Sequence, residues 1–202
     1  ESYESGYYST VRKVTEILLE STTWAEAVEF KNGQTYVLQT SNGCLSTTGA
    51  GSDTGYTWVD VETAKTSPYA LWTAHISGKT VKLTNGAGQS ITFYYNNGNP
   101  TDFFSSTAGE SNTSKQYLTW KKASGGFRFF YDAPNGWDYY MATSLNGSGK
   151  FNYSTSESGG MIFKPLTKVT SQEIVDVQDW AYQILNTPLA KEIETSLTVI
   201  KY

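Results

Sequence analysis

The run Leu71-Trp72-Thr73-Ala74-His75-Ile76-Ser77-Gly78-Lys79-Thr80-Val81-Lys82-Leu83-Thr84-Asn85-Gly86-Ala87-Gly88-Gln89-Ser90-Ile91-Thr92-Phe93 alternates apolar stretches with glycine-marked breaks. It reads as a Leu-Trp pair, a turn at Gly78, a strand, a turn at Gly88 and another strand. The pattern recurs. Leu71, Trp72, Gly78, Val81, Leu83, Gly88, Ile91 and Phe93 return in kind as Leu118, Trp120, Gly126, Phe127, Phe129, Gly136, Tyr139 and Met141. A third copy is split, closing at Ile162 and Phe163 and opening at Gly33, Tyr36 and Leu38. From Trp72 to Trp120 is about 48 residues and from Trp120 to Phe163 about 43, a spacing that marks repeated supersecondary units.

Working outward, each copy offers four short strands. Phe30 to Leu38 reads as strand, Asn32-Gly33 turn, strand, and Asn42-Gly43 starts another turn. Thr47 to Pro68 is a long Gly- and Thr-rich excursion with a strand-like island at Tyr56 to Val61; loops of this length are usually functional or mobile. Asn96-Asn97-Gly98 and Ala133-Pro134-Asn135-Gly136 are turns, and Phe103 and Phe151 mark short closing strands. Three units that join last to first fill one core and leave few open edges. The expectation is an all-β chain whose residues 28–168 form a β-trefoil of three four-stranded repeats. Its expected core comprises Tyr36, Leu38, Leu45, Leu71, Trp72, Val81, Leu83, Ile91, Phe93, Leu118, Trp120, Phe127, Phe129, Tyr140, Ile162 and Phe163.

The ends differ. Within residues 1–27, Val11, Val14, Ile17 and Leu18 have helical spacing while Val14, Glu16 and Leu18 alternate, which favours a strand without settling it. Thr23 can cap a helical turn with Glu26 three positions on. Residues 169–190 read as two alternating strands ended by Pro188, and 191–202 as a charged linker followed by a strand.

Composition agrees with strands and turns: 202 residues, 15% aromatic, 18 glycines and only 17% charged. The net charge of −4, with basic residues scattered singly or in pairs, gives no footprint for nucleic acid. No apolar run approaches the length of a membrane span and no signal peptide is visible, as expected also of a secreted fragment already processed. The single cysteine, Cys44, rules out an internal disulfide, and no cofactor or metal is expected.

Catalysis has little to stand on. The one histidine, His75, lacks a marked nucleophile beside it, and Asp53, Asp60 and Glu62 are acids on a loop. Glycan recognition is sharper, since it needs an aromatic face for the sugar ring and Asp, Asn or Gln for its hydroxyls. Three loops offer this: Trp58 with Asp60, Tyr95 with Asp102, and Tyr131 with Asn135, Trp137 and Asp138. The third is preferred because a Trp beside a tight Asn-Gly turn is expected to be exposed.

Tyr182-Gln183-Ile184-Leu185-Asn186-Thr187-Pro188, a spacer and Leu197-Thr198-Val199-Ile200-Lys201 resemble the junction between Cna-type B domains of Gram-positive surface proteins and pilins. That resemblance implies an isopeptide between Asn186 and a lysine of its own domain, with Lys13 and the acid Glu16 as candidates. It also implies neighbouring domains of a longer surface protein, a monomer, and a secreted or cell-wall-anchored location. Tyr36 to Gly43 and Leu71-Trp72 resemble ricin-type trefoil modules, without the Gln-x-Trp triplet of the plant lectins. Gln178-Asp179-Trp180-Ala181 resembles the Gln-x-Ala motif of thioester adhesins, one residue out of step, with Cys44 as the sulfur. The combined expectation is a non-catalytic adhesin for extracellular glycans or glycoproteins. Its rivals are a stalk or pilin spacer without a ligand, and, further off, a glycoside-active enzyme or thioester adhesin.

Overall fold

A computed structural model of the chain describes residues 16–107 and 114–176. Its strands are β1 (Glu16–Glu26), β2 (Thr35–Thr40), β3 (Gly43–Thr47), β4 (Tyr56–Val59), β5 (Leu71–Ser77), β6 (Thr80–Asn85) and β7 (Ser90–Asn96). They continue with β8 (Asn99–Ser106), β9 (Lys115–Gln116), β10 (Leu118–Ala123), β11 (Gly126–Asp132), β12 (Asp138–Leu145), β13 (Phe151–Ser154) and β14 (Lys164–Asp176). One short helix, α1 (Val61–Ala64), follows β4. The chain divides into two compact units. One is Trp24–Lys168; the described parts of the other are residues 16–23 and 169–176, in which Ser21 Oγ and Ser171 Oγ lie 2.7 Å apart.

Glycine and asparagine turns set the hairpins, as the sequence suggests. Gly78, Gly98 and Gly136 all have positive φ, at 58°, 81° and 84°, where a Cβ would be strained. At Gly126, with φ of 151°, an added Cβ would also run into the carbonyl oxygen of Phe163. That close approach is required, because Phe127 and Phe163 exchange two backbone hydrogen bonds of 2.8 Å.

These hairpins do not assemble into a β-trefoil. They form a closed seven-strand antiparallel barrel with further strands outside it. The ring runs β6-β10-β11-β12-β13-β8-β7 and returns to β6. Closure depends on β6: Thr80 and Val81 pair with β10, whereas Thr84 pairs with Ser90 of β7. The other edge of β6 is taken by β5. The apparent copies are therefore not equivalent. All four strands of the copy that begins at Leu118 lie in the ring, β5 of the copy that begins at Leu71 lies outside it, and β2, β3 and β4 of the split copy contribute nothing to it. The end of the repeat region does return to its start, since Lys164–Thr167 pair with Gln39–Tyr36 of β2.

Inward side chains fill the barrel. Phe93 lies 4.5 Å from Phe103, 5.5 Å from Tyr139 and 5.6 Å from Tyr131 between ring centres. Phe129 and Phe163 meet edge-on at 4.9 Å. The expected core holds with exceptions that follow from lost symmetry. Leu71, Trp120 and Ile162 are only half-buried. Tyr140 is buried but stands on the opposite face of β12 from Tyr139 and Met141, with its ring 5.1 Å from Phe130.

Three local expectations also change. Thr23 caps no helix, because β1 continues to Glu26. Asn32-Gly33 forms no hairpin; Gly33 N donates to Ala74 O and Asn32 Oδ1 accepts from Ile76 N, so β5 holds this turn. The excursion after Thr47 is pinned rather than loose. Gln89, fully buried, donates from Nε2 to Gly49 O and Gly51 O at 2.8 and 2.7 Å, while its Oε1 accepts from Thr47 Oγ1 and Asn85 Nδ2.

Because Phe93 touches rings from four other strands, Phe93→Ala is expected to lower the unfolding free energy by about 3–5 kcal/mol in urea titrations. A loss under about 1 kcal/mol would mean that the barrel interior is not packed around this ring.

Candidate functional site

At one end of the barrel, β11 and β12 are joined by the turn 133–137. Ala133 N donates to Trp137 O at 3.0 Å and Gly136 N to Ala133 O at 3.1 Å. Pro134 presets its own φ, and Asn135 locks the turn with its side chain. Its Oδ1 accepts from Trp137 N at 3.0 Å and its Nδ2 donates to the Tyr139 hydroxyl at 2.9 Å. Asn135 is thus largely committed to holding the turn. Trp137 projects from it and is 57% exposed.

Beneath the turn lies a tyrosine cluster. Tyr95 is 5.2 Å from Tyr131 and 6.0 Å from Tyr139, and Tyr139 meets Tyr153 edge-on at 5.1 Å. Tyr95 and Tyr139 are buried, so they support the rim, whereas Tyr153 is 37% exposed. Tyr153 is the aromatic that the loop-based reading missed. Its signal was the alternation Phe151-Asn152-Tyr153, which places two aromatics on one face of β13.

Asp138 opens β12 directly opposite Asp132 of β11. Neither carboxylate receives a hydrogen bond from the described residues. Desolvation, then the negative charge of Asp132, pushes the Asp138 carboxyl above its ordinary range, with Lys121 opposing and Glu157 adding to the rise. Lys121 cannot fully compensate: its ammonium is 2.7 Å from Glu157 Oε2, and Arg128 lies 3.6 Å from the same carboxylate. Two carboxylates without a described hydrogen-bond donor therefore flank the turn that carries the exposed indole. This combination can hold the apolar face of a ring and accept hydrogen bonds from its hydroxyls.

The other candidates have structural duties elsewhere. Asp60 caps α1, accepting from Thr63 N at 2.8 Å and Thr63 Oγ1 at 2.9 Å, and these bonds hold its carboxyl below the usual range. Asp102 is 8% exposed and accepts from Asn146 Nδ2 at 2.9 Å, fixing the β12–β13 turn. Trp58 is half-buried on β4 with its ring 5.5 Å from Phe151. His75 is exposed on β5 across from Lys82. Cys44 is fully buried, and that burial pushes its thiol up. Lys13, Asn186 and the Gln178 to Ala181 stretch lie outside the described residues, as does the side chain of Glu16. Among the described residues no three His, Cys, Asp or Glu side chains gather as a metal site, and no helix is long and apolar enough to cross a membrane.

The raised Asp138 carboxyl has a consequence for stability. The folded chain holds this proton more tightly than the unfolded chain, so the contribution is present in acid and is lost as pH rises through the carboxylate range, from about pH 4 upward. Asp138→Asn is expected to melt above the parent at pH 7, with the gap closing toward pH 4. Identical melting at both pH values would show that neither burial nor Asp132 penalises the Asp138 charge. No protein-family model matches the chain, and no curated protein is similar to it in sequence.

Proposed function

We propose that the barrel end carrying Trp137 is a non-catalytic recognition site for extracellular glycans, in a chain that works as an adhesin or carbohydrate-binding module at a cell surface. One observation carries the reading: a largely exposed indole, on a turn locked by Asn135, beside two carboxylates that no described side chain satisfies. A buried role would leave Trp137 covered and its neighbours paired. The Trp face suits the C–H face of a pyranose, and Asp132 and Asp138 suit its hydroxyl donors. Tyr131, Tyr95 and Tyr139 act below as a rigid base, with Tyr153 as a second exposed ring. Trp58, Asp60 and Asp102 drop out of the binding set because their contacts are internal.

An array of mucin, plant and milk glycans probed with the parent and with Trp137→Ala tests this. At least one glycan class is expected to bind the parent, with a loss of about tenfold or more in the variant at unchanged melting temperature. Silence of the parent across all three classes sinks the reading and leaves a structural spacer. Equal binding by the variant moves the site away from the turn.

A further inference from the structure

Away from the Trp137 turn, a groove of about 410 Å³ lies where the β2–β3 hairpin faces the segment that leads into β14. Its lining includes Gln39, Ser41, Thr143, Lys164 and the half-buried Ile162, while Met161, also at the lining, is almost wholly buried in the core. The volume falls within the about 300–1,000 Å³ typical of small-molecule sites.

The backbone here is fixed on every side. Gln39 and Lys164 are register partners across β2 and β14, so their side chains leave the same face of the sheet. Thr40, also on the wall, is internally satisfied: its Oγ1 donates to Gly43 O at 2.9 Å and accepts from Asn42 N at 3.1 Å, which holds the hairpin tip. Met161 N donates to Met141 O at 2.8 Å, and Gly160 bridges to Ala142, which sets Thr143 at the groove's side. Gly160 leaves no room for a side chain, because a Cβ would meet Arg128 Cδ at 2.9 Å.

Four polar side chains converge on this fixed frame without a described protein partner: the Gln39 amide, the Ser41 and Thr143 hydroxyls and the Lys164 ammonium. The buried polar groups around Gln89, by contrast, are densely paired. None of the lining residues is acidic. The Glu157 carboxylate is already engaged by Lys121 and Arg128. The groove therefore combines a free positive charge, hydroxyl and amide groups, and one partly exposed apolar side chain, Ile162.

We propose that this groove is a second ligand site, specific for a carboxylate-bearing sugar of the hexuronate class. Lys164 pairs with the carboxylate, Gln39, Ser41 and Thr143 exchange hydrogen bonds with ring hydroxyls, and Ile162 packs against the C–H face. A neutral hexose would leave the ammonium unpaired, and a simple carboxylate would leave the amide and hydroxyls unused. The site shares no residue with the Trp137 turn and stands or falls separately from it.

Nuclear magnetic resonance titration of the full chain with D-glucuronate, D-glucose and acetate tests the assignment. Glucuronate is expected to give saturable shifts at the amides of Gln39, Ser41, Thr143 and Lys164. Glucose and acetate should each bind about tenfold more weakly. Lys164→Ala and Lys164→Gln, changes at an exposed position, should each weaken glucuronate binding about tenfold, while Trp137→Ala leaves it unchanged. Absence of saturable shifts in the groove overturns the proposal, as does equal binding of glucose, equal binding of acetate, or full affinity in both Lys164 variants. Loss of glucuronate binding in Trp137→Ala would overturn the separateness of the two sites.

Discussion

Everything in the larger unit depends on how β6 divides one edge between two partners. Thr80 and Val81 lie against β10, and by Thr84 the same edge has passed to β7. A strand that served one neighbour along its whole length would leave the sheet open. Here the change of partner closes the ring, and the polar group at the point of change is Asn85. Its Oδ1 accepts from Ala87 N and Gln89 N, shaping the β6–β7 turn, and its Nδ2 donates to Gln89 Oε1. Gln89 then reaches the loop after β3. Such buried amides are costly unless fully bonded, so the network stabilises one closure and penalises alternatives. It also ties strands outside the ring to the ring itself.

That constraint explains what the sequence could and could not reveal. Strands and turns were legible because their signals are local: alternation over five to eight residues, and glycine or asparagine where φ must be positive. The hairpins about Gly78, Gly98 and Gly136 follow from such signals. Partner choice is not local. Trp72 and Trp120 look equivalent by spacing, yet Trp72 is fully buried, donating from Nε1 to Leu45 O at 3.0 Å, whereas Trp120 is half-buried against Phe30 at 5.8 Å. A repeat in the one-dimensional pattern became a symmetric trefoil only by assuming that like residues occupy like places. The edge sharing of β6 breaks that equivalence, and nothing in the spacing of apolar residues encodes it.

The site was legible to the same degree and for the same reason. A Trp beside a rigid Pro-Asn-Gly turn is exposed because the chain reverses too tightly to fold an indole beneath it, and Trp137 follows that rule. Asp60 and Asp102 looked like equals of Asp138 because sequence shows a carboxylate but not its donors. Asp60 had a readable local role, three residues before Thr63 at the start of a helix. Asp102 did not, since its donor Asn146 is remote in the chain. Gln39, Thr143 and Lys164 went unnoticed for the converse reason: they come from three distant segments, and only the pairing of β2 with β14 makes two of them neighbours.

Strand β12 links the two surfaces. Trp137 precedes its first residue and Thr143 lies near its far end, about 20 Å along an extended strand at ~3.3 Å per residue. Between them Tyr139 and Met141 point into the packed interior. Trp137 is placed by the turn that Asn135 locks and Thr143 by β12 itself, and a side chain positioned in advance loses little freedom when a ligand arrives. The barrel therefore supplies what small recognition sites need most, fixed positions for a few exposed groups. At this separation energetic effects at the two ends are close to independent, so one scaffold can change the chemistry of either surface without disturbing the other.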